Sequence, residues 1–413
     1  MSQYEKAKEA YAALGVDTDK AIKRLCDISL SMHCWQGDDV AGFESDDSEL
    51  SGGGIQVTGN HPGKAGNAEE LRADIEKAFS VIPGKHRVNL HAIYGEFGGK
   101  KVDRDEIEPC HFAGWVDWAK SKDLKLDFNA TFFSHPKSGS YSLANADKGI
   151  RDFWIEHAKR ARAITSYFGE QQGCPSVHNL WVHDGEKEVP IDRLSPRIRL
   201  KESLDEIFSV KLPSIKDAVE CKLFGIGSEA YVVGSHEFYL GYAALNDIML
   251  CLDLGHFHPT ENISDKISST LLFCKELLLH VSRPVRWDSD HVVIMSDEVK
   301  ELMREIVRTN MLDRVNIATD YFDGTVNRVG AWATGMRAAM KSLLLALLEP
   351  VDILRKYENE GRNFERLAMQ EEMKCLPYTA VWARYCEMNN VPAGPEWVDD
   401  IAKYGDKVAA ERK

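Results

Sequence analysis

The chain has 413 residues, with 65 acidic against 51 basic side chains and a formal charge of −14. That surplus of carboxylates, with no long basic run, argues against a protein whose task is gripping nucleic-acid phosphates. The longest aliphatic stretch, Leu343–Leu348, falls far short of the roughly 20 residues that cross a bilayer, and the start lacks the basic-then-apolar order of a secretory signal, so a cytoplasmic protein with no membrane and no nucleic-acid partner is expected.

Two helical patterns come first, Tyr4–Leu14 and Thr18–Leu25. Short apolar or β-branched runs then alternate with longer helical patterns. The strand candidates are Ile28–Trp35, Arg87–Tyr94, Leu124–Thr131, Ser176–His183, Ala218–Phe224, Ile248–His256, Leu277–Arg283 and Val315–Phe322. Between them Ala68–Val81 repeats Leu71, Ile75 and Phe79 on one face. Asp297–Thr309 does the same with Val299, Leu302, Met303 and Ile306 behind a Ser296 cap. A long helix, Val329–Leu348, and a charged helical tail from Val351 follow.

A β-then-α unit repeated over about 330 residues predicts an α/β protein of the (β/α)8 TIM barrel class rather than an open doubly wound sheet. No Gly-x-Gly-x-x-Gly follows the first strand, which removes the usual open-sheet signature. The expected organisation is an N-terminal helical lead over 1–27, a barrel catalytic domain over 28–350 and a C-terminal helical tail over 351–413, free to wrap the barrel or a neighbouring subunit. Residues 37–67 break the alternation: they are rich in Gly, Asp, Asn and Pro and contain Gly52, Gly53 and Gly54. Thr58–Ala65 lacks the spacing of a phosphate-binding loop. Following strand one, the segment is expected to hang over the catalytic face as a lid, with a plain surface loop as the alternative. The nine cysteines are scattered, with no Cys-x-x-Cys, and read as reduced structural thiols.

Chemistry concentrates between Val219 and Asp323. Glu220 and Lys222, then Asp253 and His256, then His280 with Asp288 and Asp290, then Asp320 sit at the downstream ends of four successive strand candidates. Burying an unpaired carboxylate is costly, so several together imply a compensating cation. In a barrel these ends share one mouth, and on a strand Glu220 and Lys222, two apart, would face the same way. Glu220, Asp253, His280 and Asp320 then form one ligand set, and His256, Asp288 and Asp290 a second with positions open to water. Oxygen and imidazole ligands without thiolate favour two ions of Mn²⁺, Mg²⁺ or Co²⁺ over a structural zinc, with Zn²⁺ still open.

A single Asp at a strand end is ordinarily a cap, and a lone His in an apolar run a core residue; it is the repetition over successive units that reverses that reading. His91 ends strand two and stands evenly between site and core. Trp181 and Phe133 end strands four and three, where an aromatic wall would suit a sugar's C–H face, although core packing is the commoner role. His258 and His291 flank the ligand segments as supporting donors, and Asp323 reads as a turn residue.

Three stretches carry a resemblance: Ser-Met-His-Cys-Trp-Gln-Gly-Asp-Asp-Val at 31–40, Cys-Leu-Asp-Leu-Gly-His-Phe-His-Pro-Thr at 251–260, and the run from Leu277 through Arg-Pro-Val-Arg-Trp-Asp-Ser-Asp-His to Val293. They closely resemble the L-rhamnose isomerase family, and the likeness covers nearly the whole chain. It implies a (β/α)8 barrel forming a homotetramer, with divalent metal, usually Mn²⁺, that interconverts L-rhamnose and L-rhamnulose in the cytoplasm. The family's first metal site matches Glu220, Asp253, His280 and Asp320, and its second His256, Asp288 and Asp290. Its Lys matches Lys222, and its substrate-contacting His and Trp match His91 and Trp181.

An aldose-to-ketose conversion needs no redox cofactor, in keeping with the missing nucleotide fingerprint. The expected route is a metal-mediated 1,2-hydride shift, with Lys222, Asp320 and His256 nearest the reacting atoms and Lys222 stabilising charge on O1. The competing route is a cis-enediol formed by a side-chain base. Ring opening is left open between His91, Asp320 and a metal-bound water. Alternatives to this function are an isomerase or epimerase of another aldose, such as D-allose/D-psicose, a metal-dependent phosphodiesterase or abasic-site nuclease, opposed by the charge, and a sugar-binding module, which has no need of Lys222 beside an open metal site.

Overall fold

The structure, a computed structural model, describes residues 1–44 and 56–412. Eight strands close a parallel barrel: β1 (Ser31–His33), β2 (Arg87–His91), β3 (Lys125–Asn129), β4 (Ser176–Trp181), β6 (Ile215–Glu220), β8 (Met249–Asp253), β9 (Leu277–Val281) and β10 (Val315–Thr319). They pair in chain order. Ser31 closes the ring by lying beside Ala318 on one side and Arg87 on the other. The (β/α)8 barrel read from the sequence is therefore present.

Each barrel strand is followed by a helix on the outside. These are α3 (Ala68–Phe79), α4 (Ala113–Ser121), α5 (Lys148–Gln172), α6 (Leu194–Ile207), α7 (His236–Asn246), α8 (Ser264–Leu271), α9 (Asp297–Arg308) and α10 (Arg328–Leu347). Their starts follow local chemistry: the Asn67 side chain accepts from Glu70 N–H, and Ser296 accepts from Val299 N–H at the head of α9. On α9 the predicted face, Val299, Leu302, Met303 and Ile306, is the buried one.

Strand limits are where sequence and structure part. β1 spans three residues of the eight expected. The fifth barrel strand lies at Ile215–Glu220, upstream of the expected Ala218–Phe224. Leu223, an apolar residue that invited the longer strand, is 43% exposed. Lys222 leaves the barrel ladder, and its N–H bonds to Gly234 O. Unanticipated is a small antiparallel pair, β5 (Gly185–Glu186) with β7 (Tyr231–Val232), across two loops on the same face of the barrel.

Helices α1 (Gln3–Ala12) and α2 (Thr18–Cys26) precede the barrel. The tail after α10 is four helices, α11 (Val351–Asn359), α12 (Asn363–Glu372), α13 (Tyr378–Met388) and α14 (Glu396–Glu411). It wraps this chain's own barrel: α13 packs on α1 and α10, and α14 on α10. Arg412 and Tyr404 both bond the buried carboxylate of Asp74 on α3, with Arg412 Nη1 at 2.6 Å and Tyr404 Oη at 2.7 Å.

Candidate active site

Parallel barrels gather the C-terminal ends of their strands at one mouth, and here those ends carry charge. Glu220 is the last residue of β6 and Asp253 the last of β8. His280 sits beside Asp253 in register, and Asp320 follows β10 directly. Glu220, Asp253, His280 and Asp320 each place a ligand atom within 4.8 Å of the other three. His280 Nδ1 lies 3.3 Å from Glu220 Oε1, 3.1 Å from Asp320 Oδ2 and 3.8 Å from Asp253 Oδ2.

These contacts are not hydrogen bonds. Both nitrogens of His280, Oε1 of Glu220, Nδ1 of His256 and Oδ1 of Asp288 are buried without a hydrogen-bonding partner. Orphaned polar atoms are rare in a folded interior and call for an explanation. Two atoms each about 2.1–2.2 Å from one cation, at right angles, stand about 3 Å apart, which is the spacing seen here. Oxygen and imidazole donors converging this way fit a divalent cation.

A second group, Asp253, His256 and Asp288, has the same closeness. It shares Asp253 with the first and includes two of the three residues expected. Asp290 is not part of it. Its carboxyl lines the same cavity, and its backbone carbonyl accepts from Phe322 N–H at 3.1 Å. The residue is in the left-handed region, φ 47°, which few non-glycine residues adopt.

Electrostatics follow from crowding. Burial, with Asp288, Asp320 and Glu220 close by, pushes the Asp253 carboxyl up to about 7 against the pull of His256. Burial and Asp288 raise Asp290 far above the usual carboxylate range. Burial opposes ionisation of Glu220, but His280 and His256 hold it well below its ordinary value. The two imidazoles rise against burial, His280 through Cys251 and Glu220 and His256 through Asp253 and Asp288. Protons thus balance the buried carboxylates, in the place that cations would take.

The supporting residues are mostly ones the sequence reading passed over. Asn179, inside β4, donates through Nδ2 to Glu220 Oε2 at 2.5 Å. Trp35 Nε1 donates to Asp320 Oδ1 at 3.0 Å. Ser282 Oγ and Gly255 N–H donate to Asp253 Oδ1 at 3.2 and 2.6 Å. A Cβ on Gly255 would fall 2.0 Å from Asp288 Oδ1, so only glycine lets that carboxylate close on Asp253.

Lys222 Nζ lies 3.1 Å from His256 Nε2, pairs closely with Asp288, and sits 5.4 Å from the centre of the Trp181 ring. Burial opposes its charge, but Asp288 and Asp290 outweigh it and raise its pKa. The cavity over these groups is about 480 Å³, and His91, Phe133 and Trp181 all line it. His91 packs against Trp35 and Phe133 at ring-centre distances of 4.6 and 5.5 Å.

The family model described as L-rhamnose isomerase (RhaA) matches residues 1–412. An L-rhamnose isomerase of Bacteroides thetaiotaomicron is 57% identical over 99% of this chain and 98% of its own length. One from Rhodopirellula baltica is 56% identical over 99% and 96%, and one from Citrobacter koseri 55% over 99% and 98%. The chain belongs to the L-rhamnose isomerase family. It is an enzyme of the isomerase class, and the resemblance carried by residues 31–40, 251–260 and 277–293 extends over the whole chain.

Seen as a member of the family, the remaining candidates divide. His291 lines the cavity, with Nδ1 2.9 Å from Ser289 Oγ. His258 does not join the ligand segments: it is exposed and bonds Thr260 within its own turn at 2.7 Å. Asp323 is a turn residue, accepting from Thr325 N–H at 2.9 Å. Of the proposed lid over 37–67, residues 45–55 and the three glycines Gly52 to Gly54 lie outside the described residues. Its described ends, Val40, Gln56 and Thr58, border the cavity.

Proposed function

We propose that this isomerase interconverts L-rhamnose and L-rhamnulose at the barrel mouth. One observation carries the reading: carboxylates and imidazoles with orphaned buried atoms converge beside Lys222, in a chain that shares 57% of its residues with a named L-rhamnose isomerase. Glu220, Asp253, His280 and Asp320 would hold one divalent ion and His256 and Asp288 a second, with Asp290 at the open side. Mn²⁺ is the ion proposed first, with Co²⁺, Mg²⁺ and Zn²⁺ as substitutes. Such ions, when bound, polarise adjacent sugar oxygens and lower a hydroxyl's pKa.

The chain's own groups do the rest. Lys222, held charged beside the cavity, stabilises negative charge growing on O1. Trp181 and Phe133 cover the C–H face of the sugar and keep water from it. Asn179 and Trp35 fix Glu220 and Asp320, so that these carboxylates do not turn away when the sugar arrives. With O2 and O1 so held, the hydrogen at C2 passes to C1 directly.

Running the conversion of L-rhamnose in D₂O tests both the substrate and the route. Rhamnulose should form with little deuterium at C1; substantial incorporation there would instead mean an enediol exchanging with solvent, and no product would remove the substrate assignment.

A homotetramer in the cytoplasm completes the proposal. Ile191, Leu194 and Ile198, 104%, 67% and 46% exposed, form an apolar strip at the start of α6 that association would cover. The nine cysteines are free thiols, which suits a reducing compartment.

A further inference from the structure

His91 has two nitrogens in different surroundings. Nδ1 lies 2.9 Å from Thr131 Oγ1, while the ring lines the cavity and Nε2 has no hydrogen-bond partner among the described residues. Thr131 Oγ1 also receives the backbone N–H of Ala92 at 3.1 Å. The oxygen keeps a second lone pair, but among the described residues the hydroxyl's own proton has one acceptor within reach, His91 Nδ1, and a buried hydroxyl that donates nowhere is costly.

Thr131 is not free to turn away. Its N–H donates to His157 Nε2 at 2.9 Å, and its carbonyl accepts from Arg104 Nη1 at 2.7 Å. His157 Nδ1 lies 2.9 Å from the Arg104 carbonyl, and since Nε2 is an acceptor, Nδ1 carries the proton. Arg104 in turn is paired with Glu44, Nη2 to Oε2 at 2.8 Å. Thr131, His157 and Arg104 are buried, so a closed set of bonds holds the Thr131 backbone in place, and the Ala92 N–H bond to Oγ1 keeps the hydroxyl against His91.

We propose that Thr131 is a positioning residue that fixes His91 as a neutral imidazole protonated on Nε2, making it a donor, never a base, toward the ring oxygen of the bound sugar. The proposal rests on the isomerase reading above. Every hydroxyl of a pyranose can donate or accept, and so tolerates either tautomer. The ring oxygen only accepts, and it alone needs a fixed donor. Burial keeps the imidazole neutral throughout the working range, its pKa pushed down to about 3.

In the opening step the C1–O5 bond breaks and its electrons go to O5. The O1–H electrons form the C1=O1 bond as that proton passes to water, and O5 takes a proton from water. His91 contributes a hydrogen bond to the charge developing on O5 and ends the step unchanged.

The test compares Thr131→Val, which keeps the shape and removes the hydroxyl, with Thr131→Ser, which keeps the hydroxyl. Both are assayed on L-rhamnose and on L-rhamnose deuterated at C2. Thr131→Val should lower kcat by about tenfold or more, and the primary isotope effect should fall toward unity as opening becomes slow; Thr131→Ser should restore both. A Val variant within about twofold of wild type, a Val variant slow with its isotope effect intact, or a Ser variant that restores nothing overturns the proposal. Histidine-selective ¹⁵N spectra of the wild-type protein, assigned with His91→Gln, read the tautomer without turnover. Nδ1 should be bare and Nε2 protonated, and the reverse pattern overturns the proposal even if the Val variant fails to fold. Absence of rhamnose turnover in wild type would instead count against the isomerase reading, leaving the tautomer result standing.

Discussion

Asp253→Asn is expected to lower kcat for L-rhamnose by about 10³-fold or more, near 4 kcal/mol of transition-state stabilisation, while the metal-free protein melts no lower than wild type. Asp253 belongs to both ligand groups, so its amide would weaken both of the proposed cation sites at once. The stability arm runs the other way. The folded-state pKa of this carboxyl is raised from 3.8 to about 7, chiefly by burial and then by Asp288, Asp320 and Glu220. The contribution of such a group is fully present below its unfolded pKa and is lost as pH rises through its folded one. The stability that Asp253 contributes to the metal-free wild type is therefore lost between pH 3.8 and about 7, and an amide, which never ionises, carries no such dependence. Thermal melts of both chelated proteins at pH 5 and 8, beside steady-state kinetics with Mn²⁺, separate loss of chemistry from loss of fold. A variant that melts well below wild type at pH 8 and pH 5 alike would show that Asp253 braces the barrel.

Lys222→Met is the second large effect. The substitution keeps the unbranched chain that lies near the Trp181 ring and removes the charge held against Asp288. Loss of a positioned donor for the oxygen on which charge develops costs about 10²–10³-fold in kcat. Because the ammonium repels a cation at His256 and Asp288, the variant should also bind the second divalent ion more tightly than wild type. Slower turnover with tighter metal is the signature expected. A fall in kcat accompanied by an equal fall in metal affinity would make Lys222 a support of the site, without a role in the reaction.

The barrel was legible because its period is a property of sequence: apolar strands recur with amphipathic helices between them, and the α9 face could be named residue by residue. Strand ends were not, since they depend on where backbone bonds stop. Cys221 to Phe224 read as strand from their side chains, but the Lys222 N–H bonds a loop carbonyl at Gly234. The same-face argument for Glu220 and Lys222 fails in its premise, because Lys222 lies past the strand; both still reach the cavity.

The charged site residues stood out because a buried charge needs a partner, which makes them conspicuous in apolar runs. Asn179 and Trp35 are silent by that criterion, since an amide or indole in or beside a strand is ordinary. Gly255 is quieter still: its importance is the 2.0 Å to Asp288 that a Cβ would occupy, a distance that exists only in the fold. That Asp253 reaches the second group as well as the first has the same origin, since which ligand atoms fall close together is decided by the fold.

Two divalent ions, held by these side chains and required by the reaction, are what we propose for the barrel mouth. Chelating the purified protein, counting residual metal, and restoring Mn²⁺ stepwise while following L-rhamnose turnover tests this directly. Turnover is expected to vanish on chelation and to return with Mn²⁺ or Co²⁺, reaching its plateau as the second ion per chain is bound. Metal-free protein that isomerises L-rhamnose at the wild-type rate would contradict the proposal.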